Sequence, residues 1–143
     1  MTDTYHYTES GLDIVYLLNG YEIVKGIGVK IQDVDGLHAS IGRWITENKK
    51  KLSGSEFRFL RTELLMSQAA LAQLLHVKEL TVARWEKGQT KIPVTADATI
   101  RALYQEHING NQKISDILRL IADLEDRIDK IMMEHDVGWS RAA

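Results

Sequence analysis

Lys78, Glu79, Leu80, Thr81 and Arg84 crowd into seven residues, and together they could read the edges of base pairs. An arginine can pair bidentately with guanine O6 and N7, a glutamate can accept from cytosine N4, and an apolar side chain can touch the thymine methyl. On a helix from Lys78 to Lys87, Val82 and Trp85 would turn inward. Leu80, Ala83, Arg84 and Lys87 would then share the opposite face at about 100° per residue. Lys78, Glu79 and Thr81 would lie at the helix start, closest to the bases. Arg58, Lys87, Thr90 and Lys91 are candidates for the phosphate backbone, contacts that position a protein without specifying sequence.

Charge supports such a partner only when its distribution is considered. The 143 residues carry 18 Lys and Arg against 20 Asp and Glu, a net charge of -2. Residues 1–42 sum to -4, residues 43–91 to +5 and residues 92–143 to -3. The middle third is therefore the part that would attract a polyanion. The absence of cysteine excludes disulfides, thiol nucleophiles and cysteine-based zinc sites. The five histidines, at 6, 38, 76, 107 and 135, show no ligand spacing, and no metal or cofactor is expected. No Gly-rich phosphate loop or nucleophile motif suggests an enzyme. No apolar run reaches the roughly 20 residues of a membrane span, and the first residues lack a signal-peptide pattern. A cytoplasmic protein is the expectation.

Several elements must position these side chains. Ser53-Gly54-Ser55-Glu56 is a capping box, with Leu52 and Phe57 as its hydrophobic staple, so a helix starts there. Phe57, Leu60 and Leu64 form its buried face, with Arg58 and Arg61 pointing elsewhere. A second helix starts after Ser67 and a third runs to Gly88, the residue expected just past a helix end. A fourth, about Thr95 to His107, follows Pro93. Two short helices joined at His76-Val77, with one before and one after, give a helix-turn-helix layout.

Upstream, Leu12–Leu18 and Tyr21–Ile27 flank Asn19-Gly20, which predicts a hairpin with a type I′ turn. A third extended piece runs through Val29 and Ile31. A helix carrying Leu37, Ile41, Trp44 and Ile45 on one face follows. Downstream, Ile114, Ile121 and Ile128 recur every seven residues, as do Ile117, Leu124 and Ile131. This predicts a long helix from about Asn111 to His135 that associates through those six residues as a coiled coil, in a dimer or a higher oligomer, with packing on its own globule as the alternative.

The stretch Phe57 to Arg61, Met66-Ser67-Gln68, Leu71-Ala72, Val82 to Gly88 and Ile92-Pro93 resembles the Cro/Xre family of helix-turn-helix regulators over about forty residues. That resemblance implies a phosphate-binding role for Gln68. His76 stands where the family has a turn glycine, and Ala70 replaces its usual acidic residue. Tyr7 to Asp13 and Val34 to His38 resemble a regulator group related to MqsA-type antitoxins, whose cysteine-held zinc domain is missing here.

The expected fold is mainly α with a small N-terminal β-hairpin, a five-helix Xre-like domain and a long C-terminal coiled-coil helix. The expected divisions are 1–50 for the hairpin and helix, 51–108 for the DNA-binding domain and 109–143 for dimerisation. The expected function is sequence-specific binding of double-stranded DNA by a homodimeric repressor. The alternative is an antitoxin whose N-terminal region covers a toxin protein.

Overall fold

The computed structural model describes residues 4–110, 113–123, 133–135 and 138–141. Four short strands come first: β1 (Tyr5–Tyr7), β2 (Val15–Leu17), β3 (Tyr21–Val24) and β4 (Gly28–Ile31). Five helices follow in close succession: α1 (Val34–Asn48), α2 (Gly54–Glu63), α3 (Gln68–Leu75), α4 (Glu79–Glu86) and α5 (Val94–Asn109). A sixth, α6 (Lys113–Asp123), precedes strands β5 (Met133–His135) and β6 (Trp139–Arg141). The fold is mixed α/β rather than mainly α, with three two-stranded antiparallel sheets among the described residues.

The N-terminal strands pair differently from the expectation. β2 pairs backward with β1, Tyr5 opposite Leu17 and Tyr7 opposite Val15. β3 pairs forward with β4, Tyr21 opposite Ile31. Asn19-Gly20 therefore joins two hairpins instead of closing one. Gly20 (φ 77°) turns the chain, and its carbonyl accepts from the Gln32 N–H at 2.8 Å. The tight turn falls at Val24–Ile27, where Gly26 (φ 80°) supplies the positive φ that a type II turn needs at its third residue. The preference of Asn-Gly for a type I′ turn was outweighed by two long-range pairings, one of them to a Tyr-His-Tyr strand absent from the expected set. Tyr5 and Tyr21 link the hairpins with ring centroids 5.4 Å apart.

Helix α1 is capped by Asp33, whose Oδ1 accepts from the Gly36 N–H at 3.1 Å. Ile41 and Ile45 are buried as expected, but Trp44 is 52 % exposed. The buried face runs instead through Gly42, because the Tyr104 side chain of α5 fills the space against it. A Cβ at Gly42 would lie 2.2 Å from Tyr104 Cζ. Around this contact Ile45, Phe57, Leu60, Leu71, Val82 and Ile100 are shut off from solvent and form the centre of the core.

Helix α6 does not continue to His135 as a coiled-coil strand. Its first turns fold back on the chain, where Ile114 and Leu118 pack against the core beside α3 and α5. Buried Glu106 on α5 caps it from outside, accepting from the Ile114 N–H at 2.7 Å and from the Ser115 N–H and hydroxyl. His135 sits in β5 opposite Trp139, with the two rings edge to face at 5.2 Å. A heptad pattern records apolar spacing, not the identity of what covers it. Here the chain's own α3 and α5 cover part of the stripe. Ile117 is exposed on α6; Leu124, Ile128 and Ile131, and the side chain of Ile121, lie outside the described residues.

Candidate nucleic-acid interface

The local chemistry that starts α2 is the expected one. The Ser53 hydroxyl accepts from the Glu56 N–H at 3.2 Å, and Glu56 Oε1 accepts from the Ser53 N–H at 2.8 Å. Leu52 and Phe57 are both buried, completing the staple. The first turn of α2 presses on the end of α4. A Cβ at Gly54 would stand 2.5 Å from the carbonyl oxygens of Trp85 and Glu86. Only glycine allows that approach, which sets the positive end of α2 against the negative end of α4.

Ser67 caps α3 through the Ala70 N–H at 3.0 Å, so the cap survives without an acidic residue at 70. His76 closes α3 in the left-handed region (φ 56°, ψ 42°), and the Val77 N–H returns to the Ala72 carbonyl at 3.0 Å. This is the backbone that a turn glycine would hold without strain, adopted by an L-residue. The tight reversal sets α4 across α3. Val82 and Trp85 are buried, and Trp85 meets Phe57 edge to face at 5.7 Å.

With those two side chains inward, α4 presents most of the predicted face to solvent, Ala83 alone of its four residues being half-buried. Glu79, Arg84 and Lys87 are exposed, Leu80 is 58 % exposed and Thr81 is half-buried. Lys78 occupies the N-cap position, is exposed, and contributes no side-chain cap. Thr90 and Lys91, in the link to α5, are exposed as well. The five candidate base readers and three of the phosphate candidates thus lie on α4 or its immediate flanks. Arg58 is exposed on α2, and lines a cavity beneath the N-terminal loop together with Glu86. Gln68 is half-buried at the start of α3 and donates from Nε2 to Glu86 Oε1 at 3.0 Å.

That last bond belongs to a network the sequence reading missed. Arg61, expected to point away from the core, is turned into it. Its Nε donates to Glu86 Oε2 at 2.6 Å, its Nη2 to Glu86 Oε1 at 2.9 Å and its Nη1 to the Met66 carbonyl at 2.8 Å. The two side chains are only 12 % and 3 % exposed. A bidentate pair in such surroundings fixes both partners in angle as well as distance. It locks the end of α4 to α2 and holds the Gln68 amide at the start of α3. No local pattern pairs residues 25 apart.

Residues 57–96 fit the family model of the helix-turn-helix domain HTH_3. The chain contains a Cro/Xre-type helix-turn-helix domain. The match covers forty of the 143 residues, from within α2 to the first turn of α5. No curated protein and no solved structure matches the chain. The helix-turn-helix domain is a general DNA-binding regulatory module. Among the described residues no group of three His, Cys, Asp or Glu could hold a metal ion, and no helix is long and apolar enough to cross a membrane.

The N-terminal segment is joined to the helix-turn-helix domain by a short polar chain. The Tyr7 hydroxyl and His38 Nε2 are 2.7 Å apart, and His38 Nδ1 lies 3.1 Å from Glu63 Oε2 on α2. Burial, reinforced by the negative charges of Glu9 and Glu63, holds the Tyr7 phenol above its ordinary pKa. The phenol therefore stays neutral, within hydrogen-bond distance of the imidazole.

Proposed function

We propose that this chain is a transcriptional regulator that binds a specific double-stranded DNA sequence as a homodimer and acts as a repressor. The observation that carries this reading is the division of α4. Val82 and Trp85 anchor it in the core, while Glu79, Leu80, Arg84 and Lys87 stand outward on a helix-turn-helix scaffold. Such a face suits the major groove, with the first residues of the helix nearest the bases. Arg84 reads guanine, Glu79 accepts from cytosine and Leu80 contacts a thymine methyl, with Lys78 and Thr81 beside them. Gln68, Arg58, Lys87, Thr90 and Lys91 hold the phosphates.

Dimerisation follows from energetics. One module of this size makes few base contacts, and two modules spaced by about one helical turn, roughly 34 Å, gain avidity without new contacts. The C-terminal segment, with Ile117 exposed on α6, supplies the self-association surface. The set expected there is Ile114, Ile117, Ile121, Leu124, Ile128 and Ile131, of which Ile114 is already partly committed to the chain's own core.

A second reading, an antitoxin that covers a toxin protein, is favoured by one feature of the N-terminal segment. Ile14, Tyr16 and Trp44 are 42–59 % exposed around a single groove. Exposed aromatic anchors of this kind are what protein interfaces use.

Selection of duplexes from a random pool by the full-length protein tests the leading reading. A two-fold symmetric enriched motif supports a dimeric sequence reader. Absence of any enriched sequence refutes it and leaves the protein-partner reading.

A further inference from the structure

A cavity of about 450 Å³ lies between the loop joining β1 to β2 and the exposed face of α2. Its size falls within the roughly 300–1,000 Å³ of small-molecule sites, and it sits where two structural units meet, a common place for them. Two opposite charges in its lining do not pair with each other. The Arg58 guanidinium has no ion pair or hydrogen-bond partner among the described residues. Glu63 uses Oε2 to accept from His38 and leaves Oε1 open. The two residues are five apart on α2, off the three- and four-residue spacings at which helical charges meet.

The rest of the lining is consistent with a polar guest. Glu9 is already spoken for, since its carboxylate accepts the Tyr5 hydroxyl and the Thr8 N–H. Glu86 is neutralised by Arg61. Ser55 adds an exposed hydroxyl, and in the wall the Ser10 hydroxyl is buried with no partner in the structure. Buried unsatisfied groups of that kind are rare in native proteins and call for an explanation.

We infer that this cavity binds a small zwitterion of the α-amino-acid class, its carboxylate on Arg58 and its ammonium on Glu63. A ligand with both charges bridges groups that the fold holds apart, whereas a simple anion or cation satisfies only one. The site is also connected to the helix-turn-helix in two ways: the ligand engages Arg58, one of the phosphate residues proposed above, and it adjoins Glu86. Glu86 lines the cavity and holds both Arg61 and Gln68, so occupancy bears on the end of α4 and the start of α3. The binding step is independent of the DNA reading, and only the regulatory consequence rests on it. Ligand binding and DNA binding must then alter each other's affinity by the same factor, typically about 5–150-fold.

Isothermal titration of the full-length protein with each of the twenty free L-amino acids, without DNA, tests the site. Acetate and methylammonium serve as single-charge probes. At least one amino acid is expected to bind, and Arg58→Gln and Glu63→Gln are each expected to weaken it at least about tenfold. No binding by any amino acid, equal binding by a single-charge probe, or unchanged affinity in Arg58→Gln would overturn the inference. Arg58 is exposed, so its variant stays informative if Glu63→Gln disturbs folding through His38. The bound amino acid is then added to the protein on its selected duplex. An affinity change of about fivefold or more supports the coupling, and no change overturns the coupling alone. A protein that selects no duplex refutes the regulator reading while the titration result stands.

Discussion

Replacing Glu86 with alanine removes the acceptor for three hydrogen bonds at once, two from Arg61 and one from Gln68. The Arg61 guanidinium then keeps only the Met66 carbonyl, in a position where its side chain is 12 % exposed. Arginine does not shed its proton to escape burial, so the charge stays and is poorly solvated. Breaking a buried pair by removing one partner costs about 3–5 kcal/mol, much of it the penalty on the group left behind. With the partial exposure of Arg61, the lower part of that range, about 3 kcal/mol, is expected. The assay is urea denaturation of wild type, Glu86→Ala, Arg61→Ala and the double variant, followed by circular dichroism. The double variant should be less destabilised than the sum of the two singles, because neither charge is then left alone. A loss below about 1 kcal/mol for Glu86→Ala, or strict additivity, would refute the view that this pair locks α4 to α2.

Three further perturbations probe separate parts of the fold. Gly42→Ala places a methyl group 2.2 Å from the Tyr104 ring and should cost about 1–3 kcal/mol of overpacking in the same denaturation assay. Leu65 holds φ 58° with its side chain 89 % exposed, so Leu65→Gly relieves left-handed strain without loss of packing and should stabilise by about 0.5–1 kcal/mol. For Glu106, burial acts to raise the pKa, but the Ser115 hydroxyl, the Ile114 and Ser115 N–H groups and the Arg119 charge outweigh it, and the net shift is downward. A carboxylate lowered on folding adds stability above its unfolded value of about 4.3 and loses it as pH falls through the folded value. Stability measured from neutral pH into acid should therefore fall below about pH 4.3, and less steeply in Glu106→Gln.

The helix-turn-helix was legible in the sequence because its signals are local. The capping box at Ser53, the cap at Ser67, the strained turn at His76 and the glycine after α4 each depend on residues within a few positions. The exposed face of α4 followed once Val82 and Trp85 were placed inward. What the sequence hid is non-local. Strand pairing depends on which partner wins, and Tyr5–Tyr7 outcompeted the neighbour that Asn19-Gly20 would have joined to β2. Trp44 fits the helical spacing of an apolar face, yet Gly42 takes the inner position because Tyr104, 62 residues away, fills the space. Arg61 reads as a surface residue until Glu86 is brought beside it. Ile114 fits a heptad seam equally well as a contact within the chain, and the structure uses it there in part.

The most direct test of the central claim compares wild type and Arg84→Ala on the selected duplex and on a scrambled duplex of the same length, at one fixed salt concentration. A helix α4 that reads bases through Arg84 predicts a loss of about 1–3 kcal/mol, roughly 5- to 150-fold, on the selected duplex and a much smaller change on the scrambled one. Equal losses on both duplexes would assign Arg84 to the phosphates. No loss on either would contradict the account.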